Sequence, residues 1–163
     1  MFLIEEIPYN LNEHALLNII TKIVDWTPWV ITRKDKWGHI NFDYKGAETN
    51  CKMYSAFLCD YWDLLLSVEP RLFQFKPNLK KSWITKMQPG GGIFPHIDYQ
   101  RTSSTLVPLG DNKGTVGFHL HYTLPPFISY NYSGPTTIRT NVTHSAYNMS
   151  NKDRYTLQFY SGE

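Results

Sequence analysis

From about residue 70 onward the chain is a succession of short segments, each cut off by Gly, Pro or a polar turn. They read RLFQF, SWITKMQ, PHIDYQR, TSSTLVPL, TVGFHLHYT, FISYNYS, TTIRTN, HSAYN and RYTLQFY. They are too short for helices that must bury a face. Their β-branched and aromatic content at this spacing predicts a sandwich or barrel. The final segment shows how such strands work. Alternation puts Arg154, Thr156 and Gln158 on one face and Tyr155, Leu157 and Phe159 on the other. The first face suits a polar cavity, and the second can bury helices.

Those helices are expected upstream. Asn10-Leu11-Asn12-Glu13 resembles a capping box, and Leu16, Ile19, Ile20 and Ile23 follow at helical spacing up to Trp26. A second helix is expected over about 50–68, striped by Met53, Phe57, Tyr61, Leu64, Leu65 and Val68 and stopped by Pro70. The intervening WTPWVITRKDKWGHINFDYKG reads as a short hairpin or irregular segment. At 163 residues a single domain is expected over 1–163. Residues 1–80 would form a helical support layer and 81–163 a β core, with the helices packed on one outer face of a sheet.

Charge and composition narrow the partners. A formal net charge of +2, with no run of consecutive basic residues longer than two, as at Lys80-Lys81, gives no footprint for nucleic acid. The opening MFLIEEIPYN is apolar too briefly for a signal peptide or a membrane span, so a cytoplasmic location is expected. Cys51 and Cys59 would stand about 12 Å apart on a helix, too far for a disulfide. In that setting the sequons at Asn131, Asn141 and Asn148 carry no sugar.

The chemistry concentrates in two places. In PHIDYQR, strand alternation puts His96 and Asp98 on the same face, which suits a solvated edge and equally suits a metal. Near the other end, HSAYN, a polar turn and RYTLQFY would place His144 and Arg154 on neighbouring antiparallel strands. The set His96-x-Asp98, His144 nearly fifty residues on and Arg154 ten later resembles the Fe(II)- and 2-oxoglutarate-dependent oxygenases. The lead-in KMQPGGGIFPHID is similar to the entry found in hydroxylase members, and the HSAYN…R ending resembles aspartyl/asparaginyl hydroxylase-like proteins. The likeness spans about 83–160.

The resemblance implies a double-stranded β-helix, the cupin-like jelly roll. It implies that His96, Asp98 and His144 hold Fe(II), because two imidazoles and a carboxylate on one face leave open positions for 2-oxoglutarate and O₂. Arg154, assisted by Thr156, would hold the distal carboxylate of 2-oxoglutarate as a charge-assisted pair. The expected reaction is hydroxylation of an unactivated C–H bond, with release of succinate and CO₂. The substrate would be a Pro, Asn or Asp side chain of a peptide or protein, or else a free amino acid or small metabolite. Prolyl 4-hydroxylases usually carry Lys where this chain has Arg154, so that subfamily is not implied.

Plainer readings stand beside these. His96, Asp98 and His144 could be hydrogen-bonded strand and turn residues, and Arg154 a surface ion pair. His119 and His121 share a face but lack a following Glu at metal-ligand spacing, so they read as strand residues or as pocket lining. Arg101 could be a second anion anchor or an exposed strand end, and Asn148 could reach a carboxylate or cap a turn. The glycine run at 90–92 lacks a Lys-Ser/Thr and a following helix, so it is not a phosphate loop. Two rival classes share the residues: a non-catalytic cupin-like binding module, and a metal-dependent hydrolase or isomerase.

Overall fold

The computed structural model describes residues 2–29, 52–98, 101–119 and 126–161. Most of the segment expected as a hairpin, together with Cys51 and His121, lies outside them. The element order is β1 (Ile4–Glu6), α1 (Glu13–Ile20), β2 (Thr27–Pro28), β3 (Met53–Phe57), a 3₁₀ turn (Leu58–Asp60), α2 (Trp62–Val68) and a second 3₁₀ stretch (Pro70–Phe75). Then come β4 (Trp83–Met87), β5 (Gly92–His96), β6 (Ser103–Leu109), β7 (Thr115–Phe118), β8 (Ile128–Asn131), β9 (Thr136–Arg139), β10 (His144–Tyr147) and β11 (Arg154–Phe159). The fold is mainly β. A seven-stranded antiparallel sheet in the order β1-β9-β6-β11-β4-β3-β2 accompanies a four-stranded one in the order β5-β10-β7-β8, consistent with a β-sandwich.

Alternation along β11 sorts the interior into two layers. Leu157 and Phe159 are fully buried beneath the helices, among Leu16, Ile20, Leu65 and Leu72. Each such side chain contributes about 1.5–3 kcal/mol by leaving water. The opposite face of the same sheet supplies Leu106 and Ile138, which meet Val116 and Phe118 of the smaller sheet. No helix among the described residues is long and apolar enough to cross a membrane.

The helical layer differs from expectation in three places. Helix α1 is capped by Asn12, whose Oδ1 accepts the Ala15 N–H, but it ends at Ile20 rather than Trp26. There the bonds shift to the tighter i→i+3 pattern, with Lys22 N–H to Ile19 O and Ile23 N–H to Ile20 O. The helix expected over 50–68 begins instead as a strand: β3 pairs with β4 from Met53↔Met87 to Phe57↔Trp83, and only Trp62–Val68 is α-helical. A short apolar run carries both periods, and the free edge of β4 decided it. The supposed stripe is therefore not a buried face, since Phe57 is 55% and Leu64 53% exposed. With 53–57 extended and Cys59 exposed in a 3₁₀ turn, the helix-based cysteine separation does not apply.

RLFQF, expected as a strand, is 3₁₀ because Pro70 opens it and the Glu69 carboxylate accepts the Arg71 N–H. Glu69 also accepts the Asn12 N–H at 2.7 Å and two bonds from the Arg71 guanidinium, tying the start of α1 to the end of α2. The Arg71 bonds bring its carboxyl down to about 2.

Candidate metal centre

His96 ends β5 and His144 begins β10, and the two are directly opposed across that ladder. Opposed residues on adjacent strands put their side chains together, and the imidazole centroids lie 4.3 Å apart. The ladder is irregular between His144 and Ala146, the kind of bulge that re-aims a side chain. Asp98 lies just past β5, where the chain crosses toward the larger sheet, and its N–H bonds to Thr140 O at 2.9 Å. That tether lets its carboxylate turn back, with Oδ1 3.4 Å from His96 Nε2. One donor atom from each of the three residues lies within 4.8 Å of the others.

Both rings are held from behind. His96 Nδ1 bonds the Phe94 carbonyl at 2.7 Å and His144 Nδ1 bonds the Val142 carbonyl at 2.8 Å. A carbonyl only accepts, so each Nδ1 carries the proton and each Nε2 presents a lone pair, as metal-bound histidines require. Burial, helped by His96, lowers the His144 pKa to about 4, so it is neutral at physiological pH. Burial would raise the Asp98 carboxyl. The neighbouring His96 ring, with His144 and the Arg101 guanidinium, outweighs it and holds the group below its ordinary value. Two imidazoles and one carboxylate fit a six-coordinate first-row ion such as Fe(II).

Arg154 starts β11, in the other sheet. The expectation that it neighbours His144 within one sheet is therefore corrected: β11 lies between β4 and β6, and β10 between β5 and β7. The residues linking β10 to β11 form a corner between sheets. Asn148 secures that corner, its Nδ2 donating to the Met87 and Lys152 carbonyls while Oδ1 accepts from Ser150. Its capacity is used in the turn, so a carboxylate-binding role does not fit.

The two sheets enclose a cavity of about 520 Å³ lined by His96, Asp98 and His144 together with Arg101, Arg154 and Thr156. Arg154 is buried, and its guanidinium stands over the Tyr132 ring at 5.5 Å. Among the described residues, its Nε and Nη1 have no hydrogen-bond partner. Burial lowers its pKa, yet guanidinium remains charged. A buried, unpaired cation is strongly unfavourable until an anion joins it. Gly114 makes room for it, since a Cβ there would fall 2.5 Å from the guanidinium carbon.

Neither Tyr132 nor Gly114 stands out in the sequence as part of a site. Gly114 follows Asn112-Lys113, which signals a turn but not what packs on it, and Tyr132 sits in an ordinary aromatic strand. His119 is not a cavity residue; its Nε2 bonds Ser145 Oγ at 2.6 Å. The glycine run is packed rather than loose, because a Cβ on Gly92 would strike the Tyr147 ring at 2.4 Å. A scan against protein-family models matches none, and a search of curated proteins finds no significant relative.

Proposed function

We propose that this protein is an Fe(II)- and 2-oxoglutarate-dependent oxygenase that hydroxylates an unactivated C–H bond, built on a jelly roll of β4–β11. The strand order supports the fold. Numbered from β4, the inner strands of the large sheet run first-eighth-third-sixth, and the small sheet runs second-seventh-fourth-fifth. Two interleaved Greek keys produce that order. The observation that carries the function is the pairing of two features in one cavity: a two-histidine, one-carboxylate cluster, and a buried guanidinium with no carboxylate partner among the described residues.

On this reading His96, Asp98 and His144 hold the ion through Nε2, a carboxylate oxygen and Nε2. Their backbone-bonded Nδ1 atoms fix the tautomers before the ion arrives. Arg154, braced on Tyr132 and with Thr156 on the same strand face, binds the distal carboxylate of 2-oxoglutarate. Ferrous iron with 2-oxoglutarate and O₂ supplies the oxidising power, and succinate and CO₂ are the co-products. Apolar walls from Val116, Leu106 and Ile138 keep water from the cosubstrate end. The substrate is a peptide or protein side chain or a small metabolite, entering on the side where Asp98 is partly exposed.

The test starts from metal-free protein. Fe(II) added anaerobically with 2-oxoglutarate should give a weak visible charge-transfer band, and air should then yield succinate. His96→Ala should lose the metal, whereas Arg154→Ala should lose mainly 2-oxoglutarate affinity. The band without succinate, even across a substrate panel, would favour a binding module. Hydrolysis supported by Zn²⁺ or Mn²⁺ with no band would favour a hydrolase.

A further inference from the structure

The cavity holds a second arginine that the cosubstrate does not need. Arg101 lines it near Asp98, its guanidinium stacked over the Tyr160 ring at 4.7 Å and its Nη1 donating to Ser104 Oγ at 3.3 Å. Among the described residues no carboxylate lies within salt-bridge distance of it. Asp98 feels its charge but is turned toward His96 and belongs to the metal cluster. On the oxygenase reading, the ion and Arg154 balance Asp98 and the two carboxylates of 2-oxoglutarate. Arg101 then leaves one positive charge uncompensated.

Position separates the two arginines. Tyr160, beneath Arg101, is six residues along from Arg154, or roughly 20 Å of extended chain. One five-carbon diacid cannot satisfy both while its other end is held at the ion. Between them Gln158 points into the cavity, flanked by its ladder partners Trp83 and Leu106, giving an apolar wall with one amide.

We propose that Arg101 anchors a carboxylate carried by the substrate, so that the compound hydroxylated is a small organic acid with an aliphatic body along Trp83 and Leu106. This rests on the oxygenase reading and sharpens it toward small molecules. Stacking on Tyr160 and the bond to Ser104 fix the guanidinium before binding, so less side-chain freedom is lost when the acid arrives.

The experiment uses protein loaded with Mn(II) and 2-oxoglutarate under argon, which permits binding without turnover. The probes are short mono- and dicarboxylic acids and α-amino acids, each matched with its primary amide, titrated calorimetrically. At least one acid should bind about 10- to 100-fold more tightly than its amide, the worth of a charge-assisted pair. R101Q should erase that difference and leave 2-oxoglutarate affinity within about 2-fold. R101K should retain part of it, because it keeps the charge and loses the fork. The proposal is overturned if no acid binds, if acids and amides bind alike, or if R101Q weakens 2-oxoglutarate as R154Q does. A protein that takes up neither Mn(II) nor 2-oxoglutarate fails at the earlier step, which the same titration reveals.

Discussion

Gly110 and Gly114 flank the β6–β7 connection with the same backbone angle, φ +83°, so they form a matched pair for testing what surrounds Arg154. Alanine at either position meets the same left-handed strain, about 1–2 kcal/mol. The surroundings differ. At Gly110 the nearest obstacle to a Cβ is Leu17 Cδ1 at 3.4 Å, an ordinary contact. At Gly114 a Cβ would lie 2.5 Å from Arg154 Cζ and Nε and 2.6 Å from Nη1. Overpacking of that kind costs a further ~1–3 kcal/mol. In urea denaturation of metal-free protein, G110A should therefore lose about 1–2 kcal/mol and G114A about 2–5 kcal/mol. G114A should also weaken 2-oxoglutarate binding by about 10-fold or more, because displacing a positioning group by an ångström is costly. G110A should leave that affinity intact. In an R154M background the excess cost of G114A should vanish, giving a double-mutant coupling of about 1–3 kcal/mol. Equal losses for the two glycines, or no coupling, would refute the packing of Gly114 on the guanidinium.

R154M alone should stabilise the metal-free protein by about 1–3 kcal/mol, because it removes buried unpaired donors, while abolishing 2-oxoglutarate binding by calorimetry. His144, lowered from 6.5 to about 4 by burial, takes its proton more readily unfolded than folded. Metal-free stability should thus hold above pH 6.5 and fall as the pH drops toward 4, by at most about 3 kcal/mol; H144Q should flatten that limb in denaturation measured across pH. Glu69, brought from 4.5 to about 2 chiefly by Arg71, contributes stability that is full above pH 4.5 and disappears as the pH falls through 2. E69Q should lose about 1.5–3 kcal/mol at neutral pH and soften only that lower limb.

Strand alternation made much of this legible. The faces of β11 were readable because one strand carries Arg154, Thr156 and Gln158 against Tyr155, Leu157 and Phe159, and both layers of the fold follow that division. The approach of His96 to His144 was legible only through the family resemblance and not from the residues themselves, since it depends on a ladder between strands some fifty residues apart. Nor could the polar stretch before Arg154 declare itself a corner. A hairpin and a sheet-switching corner both need turn residues, and what separates them is Asn148 reaching back to Met87 on β4. The 50–68 segment failed for a related reason. Its apolar residues fit a helix period, and only a partner strand absent from the local sequence made Met53–Phe57 extended.

The corrected placement of Arg154 has a mechanical consequence for the proposed site. Adjacent strands are about 4.8 Å apart and packed sheets about 10 Å. A diacid held at one end by an ion and at the other by a guanidinium suits the wider gap, which is set by packing between the sheets. Leu106, Val116 and Ile138 make that packing, so an apolar truncation there should act on cosubstrate binding without touching a polar group. Ile138→Ala and Leu157→Ala are the informative pair. Both side chains are buried in the same sheet, but Ile138 lines the cavity and Leu157 lies under the helices. Each should lose about 2–5 kcal/mol in denaturation. Only I138A should weaken 2-oxoglutarate, by about 10-fold if the guanidinium shifts by a fraction of an ångström. If L157A, at matched stability, weakens it equally, global loosening rather than the spacing of the two sheets governs the site.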